Sequence, residues 1–143
     1  MDIPKEEQMR MKQEYERNYL KEYEIRLRRL IQLSKNNGIE PVFITQPALY
    51  GKGIDGITQA DLEKIKVGQI NGRLRWEIFE LYNEMTRKVG NEEDILIIDL
   101  ASDLPKNSRY YFDYIHYSNE GIEKVANIIY SHLYPFILEK YQN

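Results

Sequence analysis

Apolar residues along this chain recur at three- and four-residue steps in three long stretches, with two short unbroken apolar runs between them. In the first stretch Leu20, Tyr23, Leu27, Leu30 and Ile31 form one stripe, which predicts a long helix from Lys5 to Asn36. Pro4 suits its start, and Asn37-Gly38 supplies a left-handed stop. Tyr15, Tyr19 and Tyr23 lie four apart and extend the stripe toward the N-terminus, where the first two turns are mostly charged. At helical spacing such an aromatic row is core or partner surface, not a platform for sugars or bases.

The period then changes. Val42-Phe43-Ile44 lies in a run bounded by Pro41 and Pro47 and predicts a buried parallel strand over Val42 to Gln46. A loop from Ala48 to Ile57 and a short helix from about Thr58 to Lys66 follow. The next helix is predicted over Ile70 to Val89, with Leu74, Ile78, Leu81, Tyr82 and Met85 inward, Trp76 on its flank and Gly90 as its stop. Ile95 to Ile98 reads as a second buried strand ending in Asp99, an acid expected to cap or salt-bridge locally. Ala101 to Arg109 reads as loop. The last helix starts near Asn119, turns Ile122, Val125, Ala126, Ile129 and Leu133 inward, and bends at Pro135. Helices alternating with short strands define an α/β class, and no repeat or linker divides residues 1–143, so one domain is expected.

Composition narrows the chemistry. The chain has 143 residues, 42% of them hydrophobic, a net charge of −3 and no cysteine. Thiolate chemistry, disulfides and cysteine-ligated zinc are excluded, and no basic footprint for nucleic acid is present. No apolar run approaches the roughly 20 residues that span a bilayer. The opening Met1-Asp2-Ile3-Pro4-Lys5-Glu6-Glu7 is polar, unlike a signal peptide, so the default expectation is the cytoplasm. Gly51, Gly53 and Gly56 spell a GxGxxG, but they come too far after the strand, and no acid-ended strand follows at the dinucleotide spacing. No cofactor is expected. A mobile loop at the carboxyl end of a strand, near any active site, is the reading of that segment.

The chemistry centres on Tyr111-Phe112-Asp113-Tyr114-Ile115-His116-Tyr117-Ser118-Asn119-Glu120-Gly121. Asp113 stands three residues ahead of His116, one of two histidines in the chain, and Ser118 and Glu120 signal a helix start just behind it. A carboxylate that holds one ring nitrogen leaves the other free as a general base. The other histidine, His132, is read as solvated, so a metal site built from Asp113, His116 and His132 is not expected.

The order of elements, the strands "PVFITQP" and "ILIIDL", and the closing "YFDYIHYSNEGIEKVANIIYSHLYPFI" resemble the C-terminal half of an SGNH/GDSL-type hydrolase, the esterase and acylhydrolase superfamily. Asp113, His116, Ser118 and Gly121 occupy the places of its closing Asp-x-x-His motif, and the resemblance covers roughly Tyr19 to Ile137. It implies a three-layer α/β/α, flavodoxin-like sandwich, here partial with a short parallel sheet. It also implies His116 as base and Asp113 as its orienting partner. The family's Gly-Asp-Ser nucleophile turn and its oxyanion donors are missing. Ser34, Ser102, Ser108, Ser118 and Ser131 are the only serines, and none lies in a Gly-x-Ser strand-to-helix turn.

Two functions follow as expectations. One is the C-terminal part of an ester hydrolase acting on a small ester, inactive alone. The other is a non-catalytic interaction module derived from that fold. Two predicted strands, where the family's sheet has five, leave Val42 to Gln46 with an open edge. The chain is therefore expected to pair through that strand with a missing N-terminal half or with its own copy.

Overall fold

The computed structural model describes residues 3–141 as a mixed α/β fold. The elements are α1 (Lys5–Tyr15), a π-helical turn (Glu16–Leu20), α2 (Lys21–Asn36), β1 (Val42–Ile44), β2 (Lys66–Val67), β3 (Ile70–Asn71), α3 (Gly72–Glu92), β4 (Leu96–Ile98), α4 (Leu100–Asp103) and α5 (Asn119–Tyr141). The expected first helix is present as α1, the π turn and α2 in continuous succession. Gly38 closes it at φ +69°, a conformation that favours glycine, and Ile39 N–H bonds back to Ser34 C=O at 2.9 Å.

β1 and β4 pair in parallel, Val42 with Leu96, Phe43 with Ile97 and Ile44 with Ile98. The register sorts the side chains, because neighbours on a strand face opposite ways. Phe43 and Ile97 pack with Ile31, Val89, Ile95, Leu27 and Met85 between the sheet, α2 and α3. A second cluster joins Leu49, Leu62, Leu100, Leu104 and Tyr111 to Val125 and Ile128 of α5. In a third, Ile70, Leu74 and Ile78 take Met11 and Tyr15 of α1. No helix among the described residues is long and apolar enough to cross a membrane.

Several expectations need correction. Thr58 to Lys66 is not a helix. Asp55 accepts from the backbone N–H and hydroxyl of Thr58, and Gln59 takes φ +59°, so side-chain bonding closes turns there instead. Lys66–Val67 and Ile70–Asn71 then form an antiparallel hairpin around Gly68. Gly90 does not stop α3, which runs on to Glu92. A Cβ at Gly90 would lie 2.0 Å from Ile97 Cδ1, so this glycine lets α3 approach β4, and Asp94 makes the left-handed turn at φ +53°. Ala101 to Arg109 contains α4 and a 3₁₀ turn (Ser108–Tyr110). The last helix passes through Pro135 to Tyr141. Ile122 and Ala126, expected inward, are exposed, because the core-facing arc of α5 runs through Gly121, Val125, Ile128 and Ile129, and Leu30, in the predicted stripe of α2, is exposed as well.

The open edge of β1 is partly closed. Thr45 N–H donates to Ile98 C=O at 3.1 Å, so Phe43 and Thr45 face β4 while Ile44 and Gln46 face the other edge. There the Asn83 amide substitutes for a strand: its Oδ1 accepts from Gln46 N–H at 2.8 Å, and its Nδ2 donates to Gln46 C=O at 2.9 Å. Ile44 stays 42% exposed beside it. The tyrosine row is not simply bared either. Tyr23 donates to or accepts from Thr86 Oγ1 at 2.9 Å and meets Tyr82 edge-on, while Tyr19 is exposed.

Candidate active site

Asp113 and His116 sit on a tight turn closed at its base. Tyr111 and Tyr117 form an antiparallel bridge, and Phe112 N–H donates to His116 C=O at 2.8 Å. Behind the turn α5 begins where the cap signal places it, with Ser118 Oγ accepting from Gly121 N–H at 3.0 Å. The Ser118 hydroxyl also donates to Arg109 C=O, and Ser118 N–H to Tyr110 C=O at 3.1 Å. Gly121 allows this approach: a Cβ there would lie 2.0 Å from Tyr110 O. Helix and turn are thus fastened to one segment, residues 109–111.

Within the turn, Asp113 Oδ1 accepts from the backbone N–H of Ile115 and of His116, both at 2.8 Å, and Oδ2 meets His116 Nδ1 at 2.6 Å. These two backbone donors, then the imidazole, hold the Asp113 carboxyl down at about 2. Asp113 is therefore a carboxylate at neutral pH, oriented by the backbone N–H groups of Ile115 and His116 before the imidazole is counted. The His116 side chain is 72% exposed, and its Nε2 has no hydrogen-bond partner among the described residues. One nitrogen is fixed by a carboxylate and the other is open, which is the arrangement a general base requires.

The surroundings place this turn at the carboxyl end of the sheet. Leu49 N–H, just beyond β1, donates to Tyr114 C=O at 2.9 Å. The loop from Ala48 onward, expected to be mobile, is pinned. Ala48, Leu49 and Tyr50 are buried, and Lys106 Nζ donates to Ala48 C=O at 2.7 Å and Tyr50 C=O at 2.9 Å. That ammonium also lies 3.3 Å from the centroid of Trp76. Burial pushes the Lys106 amine down to about 8. Gly51, at φ +114°, brings the same loop against Trp76, where a Cβ would meet the ring at 2.7 Å. Buried Asp55 fastens the far side by accepting from Ser108 N–H at 2.9 Å.

Asp99 does what was expected of it. It pairs with Arg87 at 2.8 Å and accepts from Thr45 Oγ1 and Ser102 Oγ. Burial opposes its charge, but these donors, Arg87 first, keep it at about 2. His132 is not merely solvated: its Nε2 lies 2.8 Å from Asp103 Oδ2, tying α5 to α4. It is a separate pair from Asp113 and His116.

Sequence reasoning missed Lys106 and Asn83. Lys106 carried no signal, because its acceptors are carbonyls of a distant loop. Asn83 carried none either: it lies off the apolar stripe of Leu74, Ile78, Leu81 and Met85, and only the structure shows it buried. Comparison with protein-family models, with curated proteins and with solved structures finds no match to this chain.

Proposed function

We propose that this chain supplies the general base and orienting carboxylate of an SGNH-type ester hydrolase, within a three-layer sandwich completed by a second polypeptide segment. The observation that carries the reading is the Asp113–His116 contact of 2.6 Å on a braced turn, with Nε2 left open. A serine hydroxyl from the second segment attacks the ester carbonyl as His116 Nε2 takes its proton. The imidazolium then gives that proton to the departing alkoxide as the acyl C–O bond breaks. Water repeats the sequence on the acyl-enzyme. Asp113 holds the ring tautomer and faces the positive charge throughout.

The edge of β1 is where the completing strand adds. A cleft of about 510 Å³ runs along it, lined by Ile44, Gln46, Tyr15, Tyr23, Phe79 and Tyr82. Main-chain groups of Ile44 give a strand its first ladder bonds, and Asn83 marks where the ladder ends. The chain alone is expected to give no turnover of a short-chain nitrophenyl ester above buffer and denatured-protein controls. With a segment bearing a Gly-Asp-Ser turn, turnover should arise and disappear in His116→Ala. Ile44→Pro removes an edge N–H without touching the β4 pairing and should weaken assembly most, read by analytical ultracentrifugation. Turnover by the chain alone that is lost in His116→Ala would show that it holds its own nucleophile.

A second reading, an interaction module, is favoured by α5. Ile122, Tyr130, Tyr134, Ile137 and Tyr141 are exposed along one side, and Tyr130 and Tyr134 stack at 5.2 Å. Association lost in Tyr130→Glu and untouched by Ile44→Pro or His116→Ala would select it.

A further inference from the structure

We propose that Arg75 makes the hollow beside the Asp113–His116 turn a binding site for oxyanion-bearing ligands, and so restricts the ester substrate to one with a carboxylate or phosphate beside a single ring or short acyl chain. The restriction on substrate rests on the hydrolase reading; the binding does not. The hollow is about 230 Å³ and is lined by Tyr50, Val67, Arg75, Asp113, Tyr114 and Ile115. Arg75 also lines the larger cleft along β1, so its guanidinium stands where the two concavities meet.

The arginines of α3 are not alike. Arg73 pairs with Glu77 at 3.0 Å, and Arg87 is held between Glu80 and Asp99. Arg75 has no ion-pair partner among the described residues, and its guanidinium stands beside the Tyr50 hydroxyl. A guanidinium keeps its charge at any physiological pH, and its planar fork matches two oxygens of a carboxylate or phosphate. The one acid in the hollow, Asp113, has both oxygens turned to Ile115 N–H, His116 N–H and His116 Nδ1. Three donors of its own turn occupy that carboxylate, so it forms no ion pair with Arg75 and leaves the guanidinium fork open to an added anion.

The remaining walls suit an apolar body. Tyr50 is buried as the floor, 6.5 Å from the Tyr114 ring and 6.1 Å from Phe79, while Ile115 and Val67 close the sides. A ring seated on Tyr50 and Tyr114 with its anion on Arg75 lies against Asp113 and Ile115, the residues that carry His116. Recognition and general base therefore share one turn.

The test uses the full chain and measures binding only. Phenyl phosphate, benzoate and neutral benzyl alcohol are titrated while ¹H–¹⁵N spectra follow the Arg75 side chain and residues 113–116. Both anions should bind about tenfold more tightly than the alcohol, more weakly at high salt, and shift those signals. Arg75→Gln should remove the anion preference and leave the alcohol unchanged, and Arg75→Lys should restore only part of it. Equal anion affinity in Arg75→Gln, or shifts confined to α1 and α2, overturns the proposal. Anion binding without turnover in the completed assembly sinks the hydrolase reading and leaves this site standing. Turnover indifferent to Arg75→Gln and to an anionic substituent does the reverse.

Discussion

Gly121→Ala is the most direct probe of how the candidate base is held. The added methyl would stand 2.0 Å from Tyr110 O and 2.8 Å from Tyr110 C, both backbone atoms that no rotamer change can remove. Ordinary contact begins near 3.4 Å, so α5 and the 109–111 segment must part by about 1.4 Å. Ser118 then cannot keep both its hydroxyl bond to Arg109 C=O and its N–H bond to Tyr110 C=O. Overpacking of this kind costs about 1–3 kcal/mol. Replacing glycine in a helix returns up to about 1 kcal/mol, and less in a first turn. The net expectation is a loss of about 1–2 kcal/mol, or roughly 3–8 °C in Tm for a domain of this size.

The comparison variant is Gly38→Ala, where a Cβ meets nothing within 4 Å and the penalty comes only from φ +69°. Urea unfolding of both gives the stabilities, and the His116 ring signals report the turn. Gly121→Ala should shift those signals, and Gly38→Ala should leave them in place. A Gly121→Ala protein as stable as wild type, with an unmoved His116, would refute the claim that helix and turn are fastened through one segment.

Two further predictions concern pH. Asp113 is held at about 2 against an ordinary 3.8, so its contribution is present above about pH 4 and is lost as pH falls through 2. Acid unfolding of wild type and Asp113→Asn should therefore differ at pH 4 and converge as pH falls to 2; parallel curves from pH 4 down to pH 2 would exclude these bonds to Asp113. Lys106 is lowered to about 8 from 10.5, so between those values the unfolded chain binds the proton more tightly. Wild type should therefore gain stability relative to Lys106→Met as pH rises through that window. At pH 7 the same variant should be less stable by about 1–3 kcal/mol, since it leaves Ala48 C=O and Tyr50 C=O without their donor; urea unfolding at pH 7, 9 and 10 reads both.

Much of the frame was legible because its periods are strong. The run Val42-Phe43-Ile44 and the run Ile95 to Ile98 could bury themselves only by pairing, and the helix between them is long enough to return the chain for a parallel register. Glycine was the weaker guide. Gly38 is a conformational glycine and was read correctly, whereas Gly90 is a packing glycine whose role depends on Ile97, which no local pattern reveals. The hairpin at 66–71 had a usable signal in Gly68-Gln69, a two-residue loop opened by glycine. The apparent helical period of 58–66 obscured it, and Asp55 decided the matter with side-chain bonds.

The candidate site divides along the same physical line. Asp113 and His116 lie three residues apart, and a turn of that length closes on itself with backbone donors supplied by the same residues, so the sequence contains nearly everything that shapes the pair. What holds the pair in place is not local. Tyr110 must meet Gly121, Leu49 must meet Tyr114, and Lys106 must reach back to the loop after β1, at separations of 11, 65 and 58 residues. Arg75 belongs to this second group. On a helical wheel it is one more solvated cation, and only the convergence of α3, the Tyr50 loop and the Asp113 turn gives it a hollow to face. The candidate base is thus encoded by a motif and its surroundings by topology. On the anion site proposed above, Arg75, not His116, is the position at which substitution should change what this chain binds.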